Sequence, residues 1–104
     1  PIIITENGIC TNDDAKRILA IQDYVKIIHD CLKQGIDIQG YFYWSTWDNF
    51  EWTLGPTFRF GLYECDIHTK ERRKKPSADV FRNLAFKKVL DMNHTSVPVV
   101  ISDF

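Results

Sequence analysis

Pro1-Ile2-Ile3-Ile4-Thr5-Glu6-Asn7-Gly8 opens the chain and decides how the rest is read. Three successive Ile residues after a Pro have the character of a strand buried on both faces, as in parallel sheets. Thr5 extends the β-branched run, and Asn7-Gly8 turns the chain. Glu6 thus falls at the carboxyl end of a buried strand, where open α/β sheets and α/β barrels hold their chemistry. A carboxylate beside so apolar a run is costly unless it is paired or used. On spacing alone, the plainer reading of a strand-end Glu facing solvent stands level with it.

Working outward, Ile18, Ile21, Val25, Ile28 and Leu32 recur at threes and fours. That spacing predicts a helix over 15–34 with one buried stripe, widened by Ala20, Tyr24, Ile27 and Cys31. Asn12, Asp13 and Asp14 are available as caps, and Gly35 closes the far end. Residues 36–39 lead into an aromatic second strand, Gly40-Tyr41-Phe42-Tyr43-Trp44. Strand, helix and strand make a βαβ unit with parallel strands and a right-handed crossover. Glu6 and Trp44 then end on the same edge of neighbouring strands.

Residues 45–60 read as a long loop carrying Trp47, Phe50, Trp52, Phe58 and Phe60 together with Asp48, Glu51 and Arg59. Loops of this length in compact domains tend to be functional. Residues 61–67 alternate enough for a third short strand outside the main sheet. The basic segment 70–75 reads as a solvated linker, not a nucleic-acid contact. Pro76 suits the first turn of a helix reaching about Leu90, with Val80, Phe81, Leu84 and Val89 inward. Residues 93–104 read as a tail in which 97–101 is apolar enough to pack on a neighbour. Asn93-His94-Thr95 matches the glycosylation triplet, a short match with no secretion signal behind it.

The totals narrow the class. A chain of 104 residues is one small domain or a piece of a larger one. A net charge of -1 argues against capture of nucleic acid or of an anionic membrane. Cys10, Cys31 and Cys65 are odd in number and lack metal-ligand spacing, so reduced thiols and a cytoplasmic location are expected. No apolar run approaches membrane-spanning length. Starting directly at a strand without Met, the chain is expected to belong to a longer polypeptide.

Aromatic faces beside carboxylates suit a sugar pocket. The C–H faces of a pyranose stack on Trp, and its hydroxyls need polar or charged partners. Trp44, Glu51 and Trp52 offer both, and Glu6 offers a carboxylate on the adjacent strand. Glycoside hydrolysis uses two carboxyl groups, one of which attacks the anomeric carbon in retaining enzymes. A Trp-rich loop standing alone reads more simply as a core lid.

A resemblance adds to this. Ile4-Thr5-Glu6-Asn7-Gly8 resembles the nucleophile motif of family 1 glycoside hydrolases, the β-glucosidase and β-galactosidase family. Gly40 to Ser45, then Asp48-Asn49-Phe50-Glu51-Trp52 and Arg59-Phe60-Gly61, resemble that family's last barrel strand and the loop after it. Lys75-Pro76-Ser77-Ala78 resembles the start of its final helix. The resemblance implies an α/β fold consisting of the last two βα units of a (β/α)8 TIM barrel. Residues 1–92 would be the C-terminal portion of the barrel and 93–104 a tail.

It also implies hydrolysis of β-linked sugars with retention, and no metal or organic cofactor. Glu6 matches the catalytic nucleophile. Trp44 matches the residue stacking beneath the sugar, Glu51 the carboxylate on its outer hydroxyls, Trp52 an indole donor, and Phe60 an aromatic lining the subsite. Relatives acting on 6-phosphorylated sugars replace the Glu51-Trp52 pair, so an unphosphorylated glycoside is expected. Trp47 stands where the family is more often aliphatic, and Gly55-Pro56-Thr57 is a variant loop; both leave the aglycone preference open.

The family's proton-donating Glu belongs to an N-E-P motif absent from this chain, so the chain alone is expected to be inactive. It would need the remainder of the barrel, from a parent or a companion chain. Two other readings remain open: a catalytically inactive family member binding sugar or protein, and an independent small α/β domain.

Overall fold

The computed structural model describes residues 1–87, 89–92 and 95–98, and side chains through residue 86. Strand β1 (Ile2–Asn7) leads into helix α1 (Asp14–Lys33) and strand β2 (Ile38–Tyr43). The strands β3 (Tyr63–Cys65) and β4 (Arg72–Lys74) precede helix α2 (Pro76–Lys87), and β5 (Val89–Met92) and β6 (Thr95–Pro98) follow it. β1 pairs with β2 in parallel, as the βαβ reading requires. Their register slips between Ile2 and Ile3 and again between Ile4 and Asn7, the second irregularity flanking Glu6. Such irregularities re-aim side chains near a strand end.

Helix α1 begins where its caps allow. Asp13 accepts from the backbone N–H groups of Ala15 and Lys16, satisfying donors that the first turn leaves without partners. Gly35 adopts φ 82°, and the amides of Gly35 and Ile36 bond back to Leu32 and Cys31, closing the helix in left-handed geometry. Ile21, Val25 and Ile28 form its buried stripe, whereas Ile27, counted toward it from sequence, lies 57% exposed. Ile27 stands beyond the arc that β2 and α2 cover.

Strand β2 alternates as a half-covered strand should. Tyr41 and Tyr43 face the helices, with Phe81 of α2 at ring-centroid distances of 6.4 and 5.7 Å. Phe42 and Trp44 face the other way and are exposed. Burial, with Tyr43 and Tyr24 nearby, pushes the Tyr41 hydroxyl well above the usual phenol range. It stays a neutral donor to the Asn7 side-chain oxygen at 2.8 Å.

The expectation that β1 is buried on both faces is corrected. Ile2 and Ile3 are 50% and 55% exposed, and only Ile4 joins the core of Ile21, Val25, Ile28, Tyr41, Leu62, Ala78 and Leu84. The helices cover one face of the two-stranded sheet, the face that carries Ile4, Tyr41 and Tyr43.

The reading of segment 70–75 as a linker is also corrected: β4 pairs antiparallel with β3, so half of this mostly solvent-exposed stretch is strand. Charged side chains did not prevent it because all three β4 residues are exposed. Helix α2 ends at Lys87, and Val89 and Leu90 lie in β5, not in the helix. The β5–β6 hairpin crosses the boundary placed at residue 92. Asn93, His94 and residues 99–104, including most of the stretch read as packing on a neighbour, lie outside the described residues. No described helix is long and apolar enough to cross a membrane.

A buried polar hub joins α1, α2 and the long loop. Arg17, 1% exposed, donates to Asp14 at 2.6 Å and to the carbonyls of Thr11 and Arg59 at 2.5 and 2.7 Å. Asp14 also accepts from the Ser77 hydroxyl at 2.7 Å and the Ser77 amide at 2.8 Å. Burial alone would raise the Asp14 carboxyl, but the Ser77 and Arg17 donors outweigh it and hold the group below the usual carboxylate range.

Candidate active site

The strand ends meet as the βαβ topology demands. The Trp44 amide donates to the Asn7 carbonyl at 2.9 Å, bringing the residue after Glu6 against the end of β2. Gly8 permits the approach: a Cβ there would stand 1.9 Å from the Trp44 carbonyl oxygen. Gly8→Ala is therefore expected to cost about 2 kcal/mol through overpacking against backbone. A thermal melt unchanged from wild type would contradict this.

The long loop then folds back over the same edge. Ser45 and Phe60, Thr46 and Tyr63, and Asp48 and Tyr63 are joined by backbone hydrogen bonds, and Trp47 forms an isolated bridge with Tyr63. Within the loop, residues Trp52–Thr57 form a 3₁₀ stretch interrupted at Gly55, whose φ of 77° suits only glycine. Trp52 itself has φ 43°, a left-handed conformation unusual for a bulky residue. Backbone held in such regions clusters at ligand sites. The peptide between Trp44 and Ser45 is cis.

As a result, Glu6, Trp44, Glu51, Trp52 and Phe60 line a single cleft of about 450 Å³, within the range of small-ligand sites. All five residues singled out from sequence are brought together. Asn7 and Gly8 complete the wall, and the pairing that sequence could not show is Tyr41 holding Asn7 from below. Trp52 is 88% exposed and Trp44 38%, so two indole faces are open to a ligand. Two carboxylates and two indoles in one cleft can hold hydroxyls while stacking on a pyranose face.

A second depression of about 330 Å³ shares Glu6 and Trp44 with this cleft and extends toward Phe42 and Trp47. The Arg72 guanidinium lies 4.7 Å from the Trp47 ring centre, a cation–π contact that fixes that indole. A third, of about 270 Å³, is lined by Asp14, Arg17, Asp48, Arg59 and Lys75. These five charges are paired with one another, so they form structural polar packing. No group of His, Cys, Asp or Glu suited to a metal ion occurs among the described residues.

Comparison with known proteins gives this cleft a context. The model of glycosyl hydrolase family 1 matches residues 1–89. The chain belongs to that family. It is 41% identical over 85 residues to a β-galactosidase of Pyrococcus woesei, covering 81% of this chain and 17% of the relative. Among solved structures it is similar to the β-glycosidase from Pyrococcus horikoshii, with TM-score 0.79 and 46% identity over 81% of this chain and 20% of that one. It is likewise similar to the hyperthermophilic β-glucosidase from Pyrococcus furiosus, with TM-score 0.81 and 42% identity over 84% and 18%.

The family 1 chain thus spans about a fifth of the length of the proteins it matches. Its structural neighbours are barrels of the TIM type, and this chain fits part of one. That fit gives the exposure of Ile2 and Ile3 a physical meaning. In a closed barrel, strands have no free edges and their inner face is packed by side chains from other strands.

Proposed function

We propose that this chain is the last two βα units of a (β/α)8 retaining β-glycosidase. Glu6 acts as the nucleophile. Its carboxylate oxygen attacks the anomeric carbon as the bond to the leaving-group oxygen breaks, and a glycosyl ester forms. The leaving oxygen takes a proton from a second carboxyl group outside this chain, and water then releases the sugar by the reverse proton path. Trp44 stacks beneath the ring, Glu51 accepts from its outer hydroxyls, Trp52 donates to a neighbouring hydroxyl, and Phe60 lines the side. The observation that carries this reading is the convergence of these five residues on one cleft at the carboxyl ends of two parallel strands.

The Glu51 carboxylate in that cleft favours an unphosphorylated sugar, because a phosphate beside it would be repelled. The test uses the chain alone and the chain joined to the corresponding remainder of the Pyrococcus horikoshii β-glycosidase, called the completed barrel below. The completed barrel is expected to hydrolyse an aryl β-glucoside at least about a hundredfold faster than its 6-phosphate, and the chain alone to show no turnover at ordinary enzyme rates. Equal use of the phosphorylated substrate, or full turnover by the chain alone, would overturn the reading.

A further inference from the structure

The loop that carries Glu51, Trp52 and Phe60 into the cleft is held from its base. Hydrogen bonds of residues 50–58 to other described residues run within the loop itself, from Glu51 to Gly55 and from Leu54 to Glu51. Phe50, Trp52 and Leu54 are exposed at 71%, 88% and 57%, so apolar packing does not fix them. These exposed positions are therefore placed by where the two ends of the loop are gripped.

Both ends meet at one buried ion pair. The Asp48 side chain, 1% exposed, takes the Lys75 ammonium on both oxygens at 3.0 Å. Lys75 also donates to the Gly61 carbonyl at 2.8 Å, and the Gly61 amide donates back to Asp48 at 2.9 Å. Gly61 has no room for a side chain, since a Cβ would lie 2.1 Å from the Asp48 nitrogen. One ammonium, arriving from the junction of β4 and α2, thus ties residue 48 to residue 61. Arg59 adds a longer contact to the same carboxylate at 3.7 Å.

A buried ion pair contributes little net stability compared with apolar packing, because desolvating both charges offsets their attraction. What it supplies is a single geometry, as removing either charge leaves the other stranded. We infer that Lys75 is a positioning residue for the sugar site: acting through Asp48 and Gly61, it sets where Glu51, Trp52 and Phe60 stand relative to Glu6. The clamp does not touch β1, which carries the nucleophile. Its loss therefore weakens sugar binding more than it slows attack. This inference rests on the glycosidase reading of the cleft for its effect on catalysis, but not for its effect on the loop.

Two measurements separate those dependences. In the full chain, chymotrypsin cleavage after Phe50, Trp52 or Phe58 is compared with cleavage after Phe86, which is 81% exposed on α2. Lys75→Met is expected to raise the loop-to-helix cleavage ratio about tenfold, and Lys75→Arg, which keeps the charge and donors, to restore most of the protection. In the completed barrel, Lys75→Met is expected to raise KM for an aryl β-glucoside about tenfold or more while kcat changes only a few-fold. Should Lys75→Met fail to fold, Asp48→Asn, which keeps the side-chain shape, is read the same way. An unchanged cleavage ratio, or a fall in kcat with KM unmoved, would overturn the proposal. A folded wild-type barrel without turnover would sink the glycosidase reading, yet leave the cleavage result to decide the clamp.

Discussion

Glu6→Ala in the completed barrel is expected to lower kcat for an aryl β-glucoside at least about ten-thousand-fold, with the fold and sugar binding retained. The scale follows from removing the only protein atom that forms a bond to the anomeric carbon. Glu51, the other carboxylate of the cleft, sits on the loop after β2 and not at the end of β1, so it is not placed to take over. Glu6 is exposed on the β1 edge, so its loss leaves no buried cavity and the melting temperature should barely move. The Ala variant also leaves room for a small anionic nucleophile. Added azide is expected to restore turnover of an activated substrate and to yield the α-glycosyl azide, since only the first displacement remains. Turnover near wild type without azide would contradict the assignment.

The largest effect on stability is expected from Arg17→Met. Arg17, itself 1% exposed, supplies donors to Asp14 and to the carbonyls of Thr11 and Arg59. Met fills the volume and supplies none. Removing the donors from these acceptors, while Asp14 keeps its bonds from Ser77, costs about 3 kcal/mol, seen as a fall of several degrees in the thermal midpoint of the completed barrel.

The same hub gives an acid signature. Because the Asp14 carboxyl is held below its ordinary value in the folded state, its contribution is fully present above the unfolded carboxylate range. It is lost as pH falls through the lower folded value. Melting temperature should therefore drop from neutral pH toward pH 3 less steeply in Asp14→Asn, which has no carboxylate to protonate. A variant as acid-sensitive as wild type would remove Asp14 from the account.

Sequence reading succeeded where a local pattern and a known motif coincided. The spacing of Ile21, Val25 and Ile28 gave α1, and the aromatic run at Gly40 to Trp44 gave β2, because amphipathic periodicity is a property of each element by itself. The five cleft residues were legible because the family motifs name them and the βαβ rule puts the strand ends together.

What stayed hidden depends on partners distant in sequence. Lys75 sits in a run of basic residues whose ordinary fate is solvent, and only its meeting with Asp48 across 27 positions shows otherwise. Arg17 carries no signal in sequence, and only the fold closes Thr11, Asp14 and Arg59 around it. The reading of Ile2 and Ile3 as buried failed for a different reason. Their chemistry fits a sheet with neighbours on both sides, and the described residues supply one neighbouring strand and one covered face.

The central claim is that the Glu6 carboxylate becomes a glycosyl ester. Incubating the completed barrel with 2,4-dinitrophenyl 2-deoxy-2-fluoro-β-glucoside, whose leaving group needs no proton and whose fluorine slows release, should trap that ester. Peptide mapping by mass spectrometry is expected to find one added fluoroglucosyl group, on the peptide containing Glu6. A label on any other residue of this chain, with Glu6 unmodified, would contradict the account.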